Sequence, residues 1–227
     1  MKSMPIEALK AGVADGSIDT VVVAMTDMQG RLTGKRIHGQ FFLDEVLKHG
    51  TEGCNYLLAV DVDMNTVAGY EMSSWERGYS DFALVPDMNT LRLIDWQPGA
   101  VLVLADVQWL DHSDVVASPR QILRKQVKAL NEAGMEAMCG TELEFVVFKD
   151  TYEEAWNKGY KNLIPVNQYN VDYSILGGSR IEPLLRRIRL SMANAGMVVE
   201  SVKGECNFGQ HEIAFKYSDA LSNCDNH

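Results

Sequence analysis

Two rhythms run along this chain. From Thr20 to Val107, short apolar runs rich in β-branched residues alternate with turn residues, the pattern of successive strands. TVVVAMTD (20–27) reads as a strand, QGR (29–31) as a turn, and LTGKRI (32–37) as the hairpin partner. NYLLAVDVD (55–63), DFALVPD (81–87), TLRLI (90–94) and AVLVLADV (100–107) read as further strands. FFLDEVLKHG (41–50) instead has helical spacing in Phe42, Val46 and Leu47, with Gly50 as its stop. After WLDHSDVVASP (109–119) the period lengthens. Ser118 before Pro119 marks a helix start, and Ile122, Leu123, Val127 and Leu130 form an apolar stripe closed by Gly134. A strand through Phe148 comes next, then an excursion over 150–180 rich in Tyr, Asn and Gly. A second stripe (Ile181, Leu184, Leu185, Ile188, Met192), a strand from Met197 to Val202 and the run GQHEIAFKY (209–217) complete the alternation. The pattern predicts an α+β protein of two domains, 1–112 and 113–227. SDALSNCDNH (218–227) opens like a capped helix and stops, so a piece of a longer chain is expected.

Charge narrows the choice of partners. Against 21 basic residues stand 31 acidic ones, a net charge of −10, which argues against a nucleic-acid or anionic-membrane surface. The opening MKSMPIEALKAG lacks the apolar stretch of a signal peptide. No apolar run approaches the ~20 residues that cross a bilayer. The four cysteines have no CxxC spacing, so reduced thiols in the cytoplasm are the simplest expectation.

The chemistry is concentrated in two acidic strands. In GTELEFVVF (140–148), Glu142 and Glu144 are two residues apart and share a strand face, with Leu143 and Phe145 on the other. Two carboxylates side by side repel, so they are either solvated or share a cation. Glu205 and Glu212 in GECNFGQHEIAF form a second pair. Their odd separation would send them to opposite faces of a regular strand, and a bulge at Gly209 would bring them into phase, with Gln210 on the face of Glu212. Four glutamates form an oxygen-only donor set suited to Mg²⁺ or Mn²⁺, more than one ion being needed to balance them. His211, out of phase with Glu212, reads as a packing or surface residue, and Arg186, Arg187 and Arg189 as the solvated side of an apolar-striped helix. Gly177-Gly178 lacks phosphate-loop spacing and reads as a turn. A solvated acidic face is the competing reading of these strands.

Together these motifs resemble the glutamine synthetase family, which includes the γ-glutamyl-amine ligases. TELEFVVF is similar to the family's acidic strand, and ECNFGQHEIAF to its later acid–GQ–acid motif, with Phe208 where many members have proline. TDMQGRLTGKRI, SSWERGYSDFALVPDMNTLRLIDWQPG and ASPRQILRKQV resemble its amino-terminal half, in the family's order over roughly residues 18–227. The resemblance implies a small β-grasp-like amino-terminal domain followed by a truncated catalytic domain, with an antiparallel sheet and flanking helices. It implies ATP-dependent ligation of the glutamate γ-carboxylate to ammonia or a primary amine through a γ-glutamyl phosphate. Glu142 would bind the metal at the nucleotide phosphates, Glu144, Glu205 and Glu212 the second metal, and Glu200 would contact ATP.

It further implies ring-shaped homo-oligomers, with active sites between subunits and amino-terminal acids receiving the amine. Asp81 matches one of these acids; the other falls at Asp63 or Asp61. The stretch VDVDMNTVAGYE departs from the usual DGSS pattern, which raises the chance of a primary amine over ammonia. The family's later histidine and arginines have no counterpart here, so this chain alone is not expected to turn over. A non-catalytic relative with the same ring-forming fold is the alternative. A metal-dependent hydrolase is disfavoured, because the five histidines are scattered.

Overall fold

The computed structural model describes residues 3–73, 76 and 78–227. Ser74, Trp75 and Arg77, which belong to the SSWERGYSDF motif, lie outside the described residues. The chain divides into two compact units, one running up to Ala137 and including Asp219–Asp225, the other chiefly Met138–Ser218.

The first unit is built on a six-stranded sheet. β1 (Thr20–Thr26) and β2 (Leu32–His38) form the expected hairpin, turning over Asp27–Arg31. β3 (Thr51–Cys54), β4 (Asp81–Pro86), β5 (Arg92–Leu93) and β6 (Ala100–Gln108) complete it, in the order β2-β1-β6-β4-β3 with β5 also on β6. β1 and β6 run parallel, and the other pairs are antiparallel. Alternation does what it should: Val21, Val23 and Met25 of β1, with Val101, Val103, Ala105 and Val107 of β6, point into one core. Leu9 of the helix Ile6–Asp15, together with Phe42 and Val46, seals that core. Residues 39–49 are helical as expected, but their middle, Phe42–Val46, is a π-turn.

The strand expected at 55–63 does not form. Asn55–Leu58 is a 3₁₀ turn and the strand lies earlier, at β3. Buried Asn55 donates through Nδ2 to Met72 O and Ser80 Oγ, both at 3.1 Å, and Asp61 Oδ1 accepts from the backbone N–H of Asp63 and Asn65, both at 2.9 Å. The local bonds of Asp61 take over backbone N–H groups that a ladder would use, while Asn55 is held by residues distant in sequence.

Ser118 does sit at a helix N-cap before Pro119, yet its hydroxyl makes no capping bond; the helix runs Pro119–Glu132. Arg120 anchors it. The guanidinium, 6% exposed, pairs with Asp87 and Asp225, each at 2.8 Å, and with Asp106. Arg124 also reaches Asp87, at 2.8 Å, and Asp106, at 3.1 Å. Because this network ties the helix to β6 and to Asp87, the 112/113 boundary expected from sequence falls inside the first unit.

The second unit begins at β7 (Met138–Cys139) and carries a three-stranded antiparallel sheet in the order β8-β10-β9. β8 is Glu142–Val146, two residues shorter than expected; β9 is Val199–Gly204 and β10 is Gln210–Phe215. Its apolar face, Leu143, Phe145, Val202, Ile213 and Phe215, packs on Ile188 and Met192 of the helix Glu182–Asn194. The excursion over 150–180 contains a short helix, Tyr152–Asn157, started by a Thr151–Glu154 capping box. It also holds the helical turn Ile175–Gly178, where Ser174 Oγ accepts from Gly177 N–H at 3.0 Å.

No helix among the described residues is long and apolar enough to cross a membrane.

Candidate metal centre

The polar face of the second unit's sheet gathers the acids. Register places Glu144 opposite Glu212, and Glu212 opposite Lys203, so the three form one row across β8, β10 and β9. Glu142 lies two residues along β8, opposite Ala214, on the same face. Carboxylate oxygens of Glu142, Glu144 and Glu212 lie within 4.8 Å of one another. Glu142 and Glu144 are exposed, whereas Glu212 is partly buried. Gln210, also on this face, donates from Nε2 to Glu144. On the reverse face, buried His211 stacks on Phe145 with ring centroids 6.2 Å apart, and its Nδ1 lies 3.1 Å from Gly209 O.

Glu205 joins the cluster by a different route from the one expected. Glu205 and Glu212 are not on one bulged strand. The chain reverses between them in a tight hairpin, in which Glu205 N–H donates to Gln210 O at 3.0 Å and Gln210 N–H to Asn207 O at 3.1 Å. Gly209 makes the reversal possible: its φ is +72°, and a Cβ there would meet Val147 O at 2.8 Å. Glu205 therefore stands one step beyond β9, on the face of Lys203, and parity within a single strand no longer applies.

Lys203 is the residue that the sequence reading missed. Its ammonium pairs with Glu205 Oε1 and, at 3.1 Å, with Glu212 Oε2. It also lies 4.7 Å from the centre of the Tyr173 ring. A signal was present: Lys203 precedes Glu205 by two and so shares its strand face. Burial and a hydrogen bond with Glu205 push the Glu212 carboxyl above its ordinary pKa. The hydrogen bond from Lys203 holds Glu205 below its ordinary value, and the same bond raises Lys203.

Glu200 reaches the same surface through an irregularity. Ala214 pairs with Ser201 but Phe215 with Val199, so Glu200 is the extra residue of a bulge in β9. It lines a shallow cavity of about 470 Å³ with Thr141, Glu142, Glu212 and Tyr217. A second cleft of about 640 Å³ takes in Glu200 and Lys203 together with Tyr173, Glu182 and Arg189. Arg189 pairs with Glu182, while Arg186 and Arg187 are exposed. Asp81 and Asp63 belong to the first unit. Asp81 is half-buried at the start of β4, opposite Cys54, and Asp63 is exposed in the loop after the 3₁₀ turn. The carboxylate of Asp61 is occupied in shaping that loop: hydrogen bonding from Asn65 N–H lowers its pKa.

Known structures of this architecture are glutamine synthetase-like. One titled "GmaS/ADP complex-Conformation 1" superposes with a TM-score of 0.74 at 19% identity, covering 96% of this chain and 46% of that one. The glutamine synthetase catalytic domain, as a family model, matches residues 116–227, the stretch that contains all four clustered glutamates and Glu200. The chain belongs to the glutamine synthetase family. It is 64% identical over 222 residues to the gamma-glutamylethanolamide synthetase GlnA4 of Streptomyces coelicolor, covering 98% of this chain and 48% of that protein. Over 209 residues it is 34% identical to the glutamate–isopropylamine ligase of a Pseudomonas species, covering 92% and 46% respectively. The chain thus spans about half the length of the curated relatives it matches.

Proposed function

We propose that this chain carries part of the active site of an ATP-dependent carbon–nitrogen ligase, which joins the γ-carboxylate of glutamate to an amine through a γ-glutamyl phosphate. The observation that carries the reading is the convergence of Glu142, Glu144 and Glu212 within 4.8 Å, with Glu205 beside them, on one face of a short sheet. An oxygen-only donor set of this size fits Mg²⁺ or Mn²⁺, and the lysine ammonium already lodged between Glu205 and Glu212 marks the face as a seat for cations. Glu142, Glu144, Glu205 and Glu212 would hold the ions. When bound, such ions offset the repulsion between an anionic carboxylate and a triphosphate, and stabilise charge on the transferring group.

The chain's own residues do the positioning. The β8–β10 ladder fixes the spacing of Glu142, Glu144 and Glu212, and Gln210 orients Glu144. Glu200, beside the cluster at the β9 bulge, is the proposed nucleotide contact, and ATP the proposed co-substrate. Asp81 and Asp63 are the proposed acids that receive the incoming ammonium group; Asp63 is preferred to Asp61 because the Asp61 carboxylate is occupied in shaping its loop. A primary amine is preferred to ammonia, in keeping with relatives named for an ethanolamide product and for an isopropylamine substrate. The first unit's sheet supports a β-grasp-like assignment for an amino-terminal domain, with the catalytic domain following near 113. A ring-shaped homo-oligomer and a cytoplasmic location complete the proposal.

The test is calorimetric titration of Mn²⁺ into the full-length protein and its Glu144→Ala variant, paired with phosphate release dependent on glutamate and amine. Loss of an ion equivalent together with loss of phosphate release is expected. Undiminished Mn²⁺ binding in the variant would remove Glu144 from the coordination shell, and undiminished binding together with undiminished phosphate release would overturn the reading.

A further inference from the structure

His211 is a polar residue in an apolar place. It lies on the reverse face of β10, fully buried, opposite Phe145 of β8 and Gly204 of β9 and in line with Ile213 and Phe215. An apolar side chain would fill that slot without the cost of desolvating an imidazole, so the bond that the ring makes there has to offset that cost. Nδ1 lies 3.1 Å from Gly209 O, and a carbonyl oxygen only accepts, so Nδ1 carries the hydrogen. Nε2 has no partner among the described residues, which leaves the Gly209 carbonyl as the polar anchor of the ring.

We infer that His211 is a positioning residue for the acidic cluster on the opposite face, acting through the Gly209 peptide. This rests on the reading of that face as a divalent-ion site and adds a residue behind it. The Gly209 carbonyl accepts from His211 Nδ1 and, at 3.0 Å, from Val147 N–H. The other end of the same peptide, Gln210 N–H, donates to Asn207 O at 3.1 Å. The carbonyl and N–H of a trans peptide point in opposite directions, so these bonds fix its plane from both sides. Glycine at φ +72° is otherwise free to rotate that peptide at little cost. Two acids depend on the plane. Gln210 O, next along the chain, receives Glu205 N–H at 3.0 Å, which closes the hairpin and sets Glu205 beside Glu212. Gln210 Nε2 donates to Glu144. Val147 lies past the end of β8, whereas His211 belongs to β10 itself, so the histidine ties the turn to the strand that carries Glu212.

The experiment is calorimetric titration of Mn²⁺ into the full-length protein and its His211 variants, with hydrogen exchange of the 205–210 amides read by mass spectrometry. His211→Leu removes the donor, and a loss of about tenfold in Mn²⁺ affinity with faster exchange across the hairpin is expected. His211→Asn carries an amide nitrogen as many bonds from the backbone as Nδ1 and should stay close to the wild type in both readouts. His211→Gln sets its amide nitrogen at the reach of Nε2 and should fall with His211→Leu. Both amides forfeit the stacking on Phe145, so a role in packing alone would move them together. Wild-type affinity in His211→Leu, equal behaviour of the two amide variants, or the reverse order between them would each overturn the assignment. Should His211→Leu fail to fold, the contrast between His211→Asn and His211→Gln decides. Glu144→Ala keeps the two readings apart. Undiminished Mn²⁺ binding there counts against the ion site itself, whereas a loss there beside wild-type binding in His211→Leu removes only the role of His211.

Discussion

In the first unit Asp87, Asp106 and Asp225 surround the two guanidinium groups of Arg120 and Arg124, and Asp27 is closed by Arg31. In the second unit Glu205 and Glu212 share one lysine, and Glu142 and Glu144 gather beside Glu212. Both arrangements assemble acids from distant parts of the sequence, yet their physics differs. An arginine fork satisfies carboxylate oxygens with fixed, directional donors, and once matched the acid has nothing left to bind. A lysine supplies one point charge to a group of four and leaves most of the negative potential in place. Matched acids hold structure together; surplus acids on a packed sheet are available to an external cation.

The strongest way to break this comparison is to unmatch the first group. Arg120→Met strips both guanidinium hydrogen bonds from Asp225, 8% exposed, and a donor from each of Asp87 and Asp106. A loss of about 3–5 kcal/mol is expected, read by urea denaturation. The pH dependence has a definite sign. Burial pushes the Asp87 carboxyl up, but hydrogen bonds from Arg120 and Asn89 outweigh it and hold the pKa below 3.8. A depressed carboxyl contributes stability that is complete above its unfolded value and lost as pH falls through the folded one. The gap between wild type and variant should therefore be widest near neutrality and narrow below pH 3.8. A gap that is flat with pH, or below 1 kcal/mol (less than a conventional hydrogen bond to charge), would show the network to be ornamental.

Arg31 tests the same idea on a smaller scale. Asp27 is fully buried, and its Oδ2 accepts from Arg31 Nε at 2.8 Å, while its Oδ1 keeps the backbone N–H groups of Gln29 and Arg31. Arg31 also reaches the carbonyls of Asp61 and Val62, at 3.2 and 2.7 Å. Arg31→Met should cost about 1–3 kcal/mol, since one buried oxygen loses its partner. Its second effect is local: amide exchange at residues 61–65 should quicken while β1 and β6 stay protected. Unchanged exchange at Asp63 and Asn65 would mean that the loop is held by the Asp61 turn alone.

What the sequence disclosed follows from the range of the forces involved. Period-two alternation is local, so β1, β4, β6, β8 and β10 were legible, as was the shared face of Glu142 and Glu144. The strand misplaced at 55–63 was apolar enough to mislead. The competing influence, Asn55 bonded to Met72 and Ser80, comes from residues 17 and 25 positions away. Glu205 and Glu212 were paired correctly in space by the wrong device, because a glycine at positive φ permits a bulge or a reversal and only the β9–β10 ladder decides between them. Arg120 was invisible for a simpler reason. Its partners at 87, 106 and 225 are spread over most of the chain, and no spacing rule joins them.

The smallest expected effect is also the most discriminating, because its sign should reverse. Removing a matched acid or its arginine destabilises. Removing a surplus acid should not. Glu142 faces Glu144 and Glu212 with no cation among its described contacts, so its charge adds repulsion to the metal-free sheet. Glu142→Gln should leave folding unharmed in EDTA, or raise stability by less than about 1 kcal/mol, the scale of like-charge relief between neighbouring strands. Added Mn²⁺ should invert the order, because an ion that binds only the folded protein stabilises it in proportion to affinity, and the variant offers one charged oxygen fewer. Thermal unfolding of both proteins, with EDTA and then with Mn²⁺, gives the four melting temperatures required. If Glu142→Gln were the less stable protein in EDTA, the glutamate would be doing structural work like that of Asp87, and the distinction between matched and surplus acids would fail at its most exposed member.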